Sequence, residues 1–341
     1  MKTYLFIVAI IVVALSFGCA TKKDLEFRAT LVPQSSDSVT ALSYMNKAAE
    51  VVSNRLINFF SIPQENMKLD VTQNRILLTI DKIDTAELGQ IKEVITGYHK
   101  LEFWETYENR EIIGYLSKAN NLLKDVQIPA PGTDKSKTEK AVTGEEFMKQ
   151  NPLFGILRPR VTENGEPLPS CMIGLAGGKD TSKVNTYLKM DQIKALLPSD
   201  IKFYWSASPY RSDTSKSLYG LHAIKVTTVN KQAPLDGRVI ISAQTVTGSG
   251  KSEVRISLTM DSAGTRRWAR ITHENINRCI AVVYDGHVRS YPRVMSEISG
   301  GKTEISGDFT IREANDLVNI LKSGELPFEL KISNKQIIKR E

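Results

Sequence analysis

The sequence predicts an α+β protein, a split βαβ base with an inserted α+β head. Three observations carry this reading. Residues 24–106 run strand, helix, strand, strand, helix, strand, the element order of a ferredoxin-like unit. Ile280–Gly324 encodes a hairpin, a strand and a capped helix within one short stretch. Paired Gly/Pro crossings, Ala233–Gly237 and Ser323–Pro327, bracket the segment that holds it.

Each element has a local cause. Asp24–Val32 alternates apolar and polar residues as a strand does. Ser43–Phe60 puts Met45, Ala48, Ala49, Val52, Leu56 and Phe59 on one helical face. Met67–Val71 and Arg75–Ile80 are strands joined through Thr72-Gln73-Asn74. Thr85–Gly97 repeats Leu88, Ile91 and Ile95 at helical spacing, and Lys100–Thr106 is expected to close the base sheet. Glu111–Val126 reads as an added helix, and residues 128–144 have the composition of a flexible linker. Thr181–Leu197 reads as one helix ahead of Pro198, and Ile201–Ser206 and Tyr219–Val229 as strands around a Ser-rich loop.

The head follows. Val239–Thr247 and Ser252–Met260 form a hairpin, and Ser262–Asn277 a helix with Trp268 in the core. Ile280–Tyr284 leads into Asp285-Gly286, a dipeptide suited to the positive φ angles of a tight turn. Thr303–Ser306 is another strand. Thr310 with Glu313 three residues on is a capping box, and Gly324 stops the helix. Phe328–Ile332 alternates, a pattern that can return it to the base sheet. The organisation is therefore 1–18 targeting segment, 24–127 first part of the base, 128–144 linker, 145–235 connecting region, 236–323 head, and 324–341 return strand and tail.

Met1–Phe17 combines an early lysine with an apolar run too short for an ordinary bilayer span. Gly18-Cys19 follows, the pattern of a lipoprotein signal in which Cys19 is acylated. An uncleaved single anchor and a simple cleaved signal are the alternatives, and all three place the body on the far side of the inner membrane. Cys171 and Cys279 remain. Three cysteines make no disulfide framework; Cys279 opens an apolar strand and reads as a small core hydrophobe, and Cys171 follows a Pro-Leu-Pro loop and starts another apolar run. A bridge between them would require base and head to meet at those two points.

Composition restricts the function. At 41% hydrophobic and 24% charged the chain can build a core and is neither disordered nor membrane-embedded. Its +7 charge is dispersed in single residues and pairs, without a basic block interleaved with aromatics, which argues against nucleic-acid binding. Gly248-Ser249-Gly250-Lys251-Ser252 ends like a phosphate loop, but Thr245 stands where the motif needs glycine and the segment joins two strands. Ala176–Asp180 fails on spacing too. His99, His222, His273 and His287 are scattered without metal-ligand spacing. A Cys171–His222 nucleophile pair has no support in sequence, and Asp285 is explained by turn chemistry alone. The expectation is a non-enzymatic protein with no cofactor, metal or small-molecule substrate.

The pattern Ile280-Ala281-Val282-Val283, Asp285-Gly286, Ser290, Pro292, Ile298, Gly300-Gly301, Ile305-Ser306-Gly307, Phe309-Thr310, Ala314, Leu321, Gly324 and Leu326-Pro327 resembles the head of the large first periplasmic domain of the SecD/SecDF protein-export family. Asn54-Arg55-Leu56, Asn74–Leu78 and Leu101–Phe103 are similar to its base. Leu101–Glu108, Asn151–Gly155 and Tyr219–Thr227 resemble the Bacteroidetes-type fused form. Departures are Phe59-Phe60-Ser61, where a glycine is usual after the first Phe, and Ile80-Asp81-Lys82 in place of Leu-Pro-Gly. Family members continue into membrane helices where this sequence stops at Glu341, so the expectation is a tethered periplasmic unit without them and without a proton-driven motor of its own. The resemblance implies an accessory role in Sec-dependent export, with unfolded exported polypeptides or Sec channel subunits as partners. It also implies that Pro234, Gly237, Gly324 and Pro327 form a hinge on which the head swings. The competing expectation is an envelope lipoprotein that keeps the scaffold without an export role.

Overall fold

The computed structural model describes residues 25–34, 41–84, 86–97, 99–126, 144–248, 254–307 and 309–339. The targeting segment with Cys19, nearly all of the 128–144 linker and the centre of the Gly248–Ser252 turn lie outside them.

The chain opens with β1 (Leu25–Pro33), α1 (Leu42–Phe60), β2 (Met67–Val71), β3 (Ile76–Ile80) and α2 (Leu88–Thr96). It continues through β4 (Leu101–Glu105), α3 (Asn109–Val126), α4 (Gly144–Gln150), β5 (Arg158–Pro159) and β6 (Met172–Gly177). Next come α5 (Thr181–Lys189), α6 (Asp191–Lys194), β7 (Ile201–Ser206), β8 (Leu218–Lys225) and β9 (Leu235–Asp236). The last part holds β10 (Ile240–Thr247), β11 (Val254–Met260), α7 (Ser262–Glu274), β12 (Ile280–Tyr284), β13 (His287–Ser290), β14 (Lys302–Ser306), α8 (Ile311–Ser323) and β15 (Leu330–Lys339). Helices and strands in three sheets make this a mixed α+β fold.

The first sheet has the order β15-β1-β3-β2, all neighbours antiparallel, with α1 and α2 packed on one face. Its fourth strand is β15 and not Lys100–Thr106, which corrects the expectation. The reason lies in the burial patterns. In β3 buried positions alternate with more exposed ones, and β15 has an exposed, polar side suited to an edge. β4 is buried on both faces and needs an interior position, which it finds between β12 and β9 in the eight-stranded sheet β5-β6-β8-β7-β13-β12-β4-β9.

That sheet ties distant segments together. Phe103, Leu235, Ile280 and Val282 point into a core shared with the three-stranded sheet β10-β11-β14 and with α7 and α8. On the other face Trp104, Ala281, Val283 and Val288 form a smaller cluster, as the two-residue period of strands requires. Trp268 joins the shared core, its ring 5.1 Å from that of Phe103. At the far end β6 and β8 carry α3, α5 and α6 on a third core.

The expected single helix Thr181–Leu197 is broken at Met190, whose ψ is 135°. Leu188 and Ile193 are both buried, yet on an unbroken helix they would point about 140° apart. The break turns both inward. Local signals hold at the β12–β13 turn and at the start of α8. Asp285 and Gly286 have φ of 50° and 74°, a turn with both central residues left-handed, and Thr310 and Glu313 form the complete capping box.

Candidate functional site

Two cavities meet at Arg289 and Phe309, which line both. The smaller, about 510 Å³, is a cleft between the helical layer of the first sheet and α8. Phe59 and Phe60 at the end of α1 form one wall, and Leu317 and Ile320 of α8 the other. The rim carries charges of both signs, Glu93, Arg289, Arg312, Glu313 and Asp316. Arg289 Nη1 is 3.8 Å from Glu313 Oε1, and its guanidinium lies 5.6 Å from the Tyr284 ring centre.

The β12–β13 turn forms the end of this cleft. Asp285 accepts from the Lys100 backbone N–H at 2.9 Å and lies 2.8 Å from His99 Nδ1. Burial would raise the Asp285 carboxyl, but these partners hold it below its ordinary range. Its role thus exceeds turn chemistry. Beneath the cleft Arg55 is fully buried and donates to the carbonyls of Val94 (2.9 Å) and Gly97 (2.6 Å), closing the end of α2. Burial draws its guanidinium down to about 10, against the favourable charge of Asp285 and Glu325.

The larger cavity, about 640 Å³, lies over β8 between the loop after β7 and residues 288–292. The loop is organised by Asp213, which accepts from the N–H groups of Ser215, Ser217 and Leu218 at 3.1, 2.7 and 2.8 Å. These bonds, with the Ser215 hydroxyl, hold its carboxyl well below the usual range. His222 forms part of the floor. Cys171 Sγ is 3.6 Å from His222 Nδ1, so the pair set aside in sequence does meet. Burial drives His222 down to about 3 and the Cys171 thiol upward, the reverse of what a base and an activated nucleophile need. Among the described residues no three His, Cys, Asp or Glu side chains converge as metal ligands, and no helix is long and apolar enough to cross a membrane. Thr247 pairs with Val254, so the Gly248–Ser252 segment joins two antiparallel strands.

The two Gly/Pro crossings lie side by side. A Cβ at Gly237 would stand 3.4 Å from Leu101 Cβ and 3.5 Å from Leu321 Cδ2 in the last turn of α8. Leu235, after Pro234, belongs to the core shared with the three-stranded sheet, while Leu326, before Pro327, is in the base core. Gly324 between them has φ 87° and ψ 168°. Carboxylates gather here. Asp236 is held by Arg238 at 2.6 Å and Glu102 by Lys100 at 2.7 Å. Burial, then the charge of Asp236, pushes Glu325 up to about 7. Sequence reasoning missed the cleft residues Phe59, Arg289 and Phe309 because they come from three distant segments.

The family model of the SecDF P1 head subdomain matches residues 215–328. The protein translocase subunit SecD of Rhodothermus marinus is 28% identical over 305 residues, covering 86% of this chain and 46% of that protein. That of Magnetococcus marinus is 32% identical over 201 residues, covering 54% and 36%. The chain spans about half the length, or less, of these curated relatives. Among solved structures, a SecDF in the super-membrane-facing form aligns with TM-score 0.51 and 18% identity over 93% of this chain and 31% of that one. A second, a membrane component SecDF that enhances protein export, aligns with TM-score 0.50 and 17% identity over 90% and 98%. At these identities the structures speak for the fold.

Proposed function

This chain belongs to the SecD/SecDF family, and from that premise we propose that it is a non-enzymatic accessory factor of Sec-dependent protein export that holds emerging unfolded polypeptide in the cleft at Phe309. The observation that carries this reading is the cleft itself. Aromatic side chains from α1 face apolar positions of α8 across about 510 Å³, inside a rim of mixed charge. Such a surface accepts apolar side chains of many shapes while the rim engages flanking polar and charged groups, which suits a partner defined by being unfolded and not by sequence. The same relatives support Sec channel subunits as neighbours.

In this reading the body stands on the periplasmic side, tethered through Cys19 or an uncleaved anchor. Pro234, Gly237, Gly324 and Pro327 act as a hinge. The crossings sit together where the chain passes between two cores, so a few backbone angles can move α8 relative to α1 and α2 and change the width of the cleft.

Site-specific photo-crosslinking in cells tests the proposal. Probes at Phe59 and Phe309 should yield adducts to nascent exported proteins, whereas a probe at fully exposed Val229 should not. Equal labelling from all three positions, or none from the cleft, would overturn it.

A further inference from the structure

A bridge between Cys171 and Cys279 requires the two segments that carry them to meet, and the structure brings those segments together. Cys171 immediately precedes β6 and Cys279 immediately precedes β12, and Arg293 ties the two segments together, donating to the Pro169 carbonyl at 2.8 Å and to the Asn277 carbonyl. The two thiols are near enough to perturb each other's ionisation. Both are buried, at 0% and 4% exposure. The backbone around them is tightly held: the Cys171 carbonyl accepts from Ala223 N–H at 3.1 Å, and the Cys279 carbonyl from the Thr106 hydroxyl at 2.6 Å. Thr106 also bridges to Ile224 of β8. Both cysteines therefore stand, buried, on segments that the sheet already holds together.

We propose that Cys171 and Cys279 form a disulfide when the chain folds under oxidising conditions. Both thiols stand free in the present structure. Burial pushes the Cys171 thiol up, while the neighbouring Cys171 side chain draws the Cys279 thiol down. The oxidant is an external disulfide of the glutathione class. One cysteine sulfur attacks it and releases one thiol. The other then attacks the mixed disulfide and releases the second. Two cysteine S–H bonds and the external S–S bond are lost, one protein S–S bond and two external S–H bonds form, and the two electrons pass to the oxidant. Because the folded pair is buried, this exchange precedes closure of β6 and β12 over it.

The bridge would close a loop of about a hundred residues, the range in which a cross-link restricts the unfolded chain most. It would also staple the β6–β8 end of the large sheet to β12. That the bond forms in cells rests on the periplasmic reading given above; that the two sulfurs can pair does not.

The full chain, reduced, unfolded and refolded in a glutathione redox buffer, tests the pairing by alkylation and peptide mass mapping. The expected result is one linked species joining the Cys171 and Cys279 peptides, with a melting midpoint roughly 5–10 °C above that of the reduced protein. Alkylation of both residues, or linkage through Cys19 instead, would overturn the proposal, and this readout needs no substituted variant to fold. The same mapping on protein alkylated in intact cells separates the two readings. A link formed in the buffer but absent in cells would uphold the pairing and overturn the compartment.

Discussion

His99 Nδ1 stands 2.8 Å from Asp285 Oδ2, joining the residue pair that precedes β4 to the turn between β12 and β13. The contact spans most of the sequence and sits at the end of the cleft. Asp285 titrates below its ordinary value in the fold because His99 and the Lys100 N–H favour its charged form over the cost of burial. A depressed carboxylate stabilises the fold fully above its unfolded pKa of about 3.9 and loses that contribution as pH falls through the lower folded value. Asp285→Asn keeps a residue that tolerates left-handed φ. It should cost about 1 kcal/mol at pH 7, allowing for exposure, and progressively less as pH is lowered below about 4. Chemical denaturation of both proteins across pH 3–7 checks this; a difference that stays constant with pH would show that the carboxylate charge is irrelevant.

Glu325 has the opposite sign. Its folded pKa is raised from 4.5 to about 7 by burial and by Asp236. Ionising it in the fold is therefore unfavourable, and the penalty grows as pH rises from the unfolded value through about 7. Glu325→Gln should raise the melting midpoint at pH 8 and leave it almost unchanged at pH 4. Equal gains at both values would point to packing and not to charge.

Much of the local structure was legible because its causes are local. The Asp285-Gly286 turn and the Thr310–Glu313 capping box each need only neighbouring residues. Which strand completes the first sheet was not legible in that way. Lys100–Thr106 and the C-terminal segment both read as strands, and the choice depends on whether a strand must be buried on one face or two, which its partners decide. The cleft was hidden for a related reason, since Phe59, Arg289 and Phe309 become neighbours only through tertiary packing. The meeting of Cys171 with Cys279 follows from the sheet that joins β6, β8, β4 and β12, a register no local pattern reports.

Arg55 explains part of the Asn54-Arg55-Leu56 motif. Its side chain is buried, and Nη1 donates to two carbonyls at the end of α2. Arg55→Met fills much of the space but strands both carbonyls, at a cost of about 3 kcal/mol. Arg55→Lys should cost less, about 1–2 kcal/mol, because a flexible ammonium can reach one carbonyl but lacks the planar fork. Urea unfolding midpoints rank the three proteins. Arg55→Met as stable as the parent would show that water replaces the capping bonds.

Ser61 ends α1 with φ 53° and ψ 32°, a left-handed cap of the kind that glycine occupies at least cost. Its N–H still closes on the Ile57 carbonyl at 3.0 Å, so the cap is formed in spite of the side chain. Ser61→Gly should relieve the strain and stabilise the protein by about 0.5–1 kcal/mol. A thermal melt showing no gain would mean that the hydroxyl contributes as much as the backbone loses.

The hinge reading makes different demands on its two glycines. Gly324, at φ 87° and ψ 168°, occupies a region nearly closed to other residues, so Gly324→Ala should cost about 1–3 kcal/mol and report on folding more than on motion. Proline there would be incompatible with the observed φ. Gly237 has no such constraint, and an added Cβ meets Leu101 and Leu321 only at ordinary contact distance. Gly237→Ala should therefore fold with a loss below about 1 kcal/mol while narrowing the backbone's choices at the crossing. Labels at exposed Leu77 on β3 and Ile241 on β10 report the separation of base and head. If the crossing is a hinge, Gly237→Ala narrows the distribution of that distance; a distribution identical to the parent's would leave Gly237 as an ordinary turn residue.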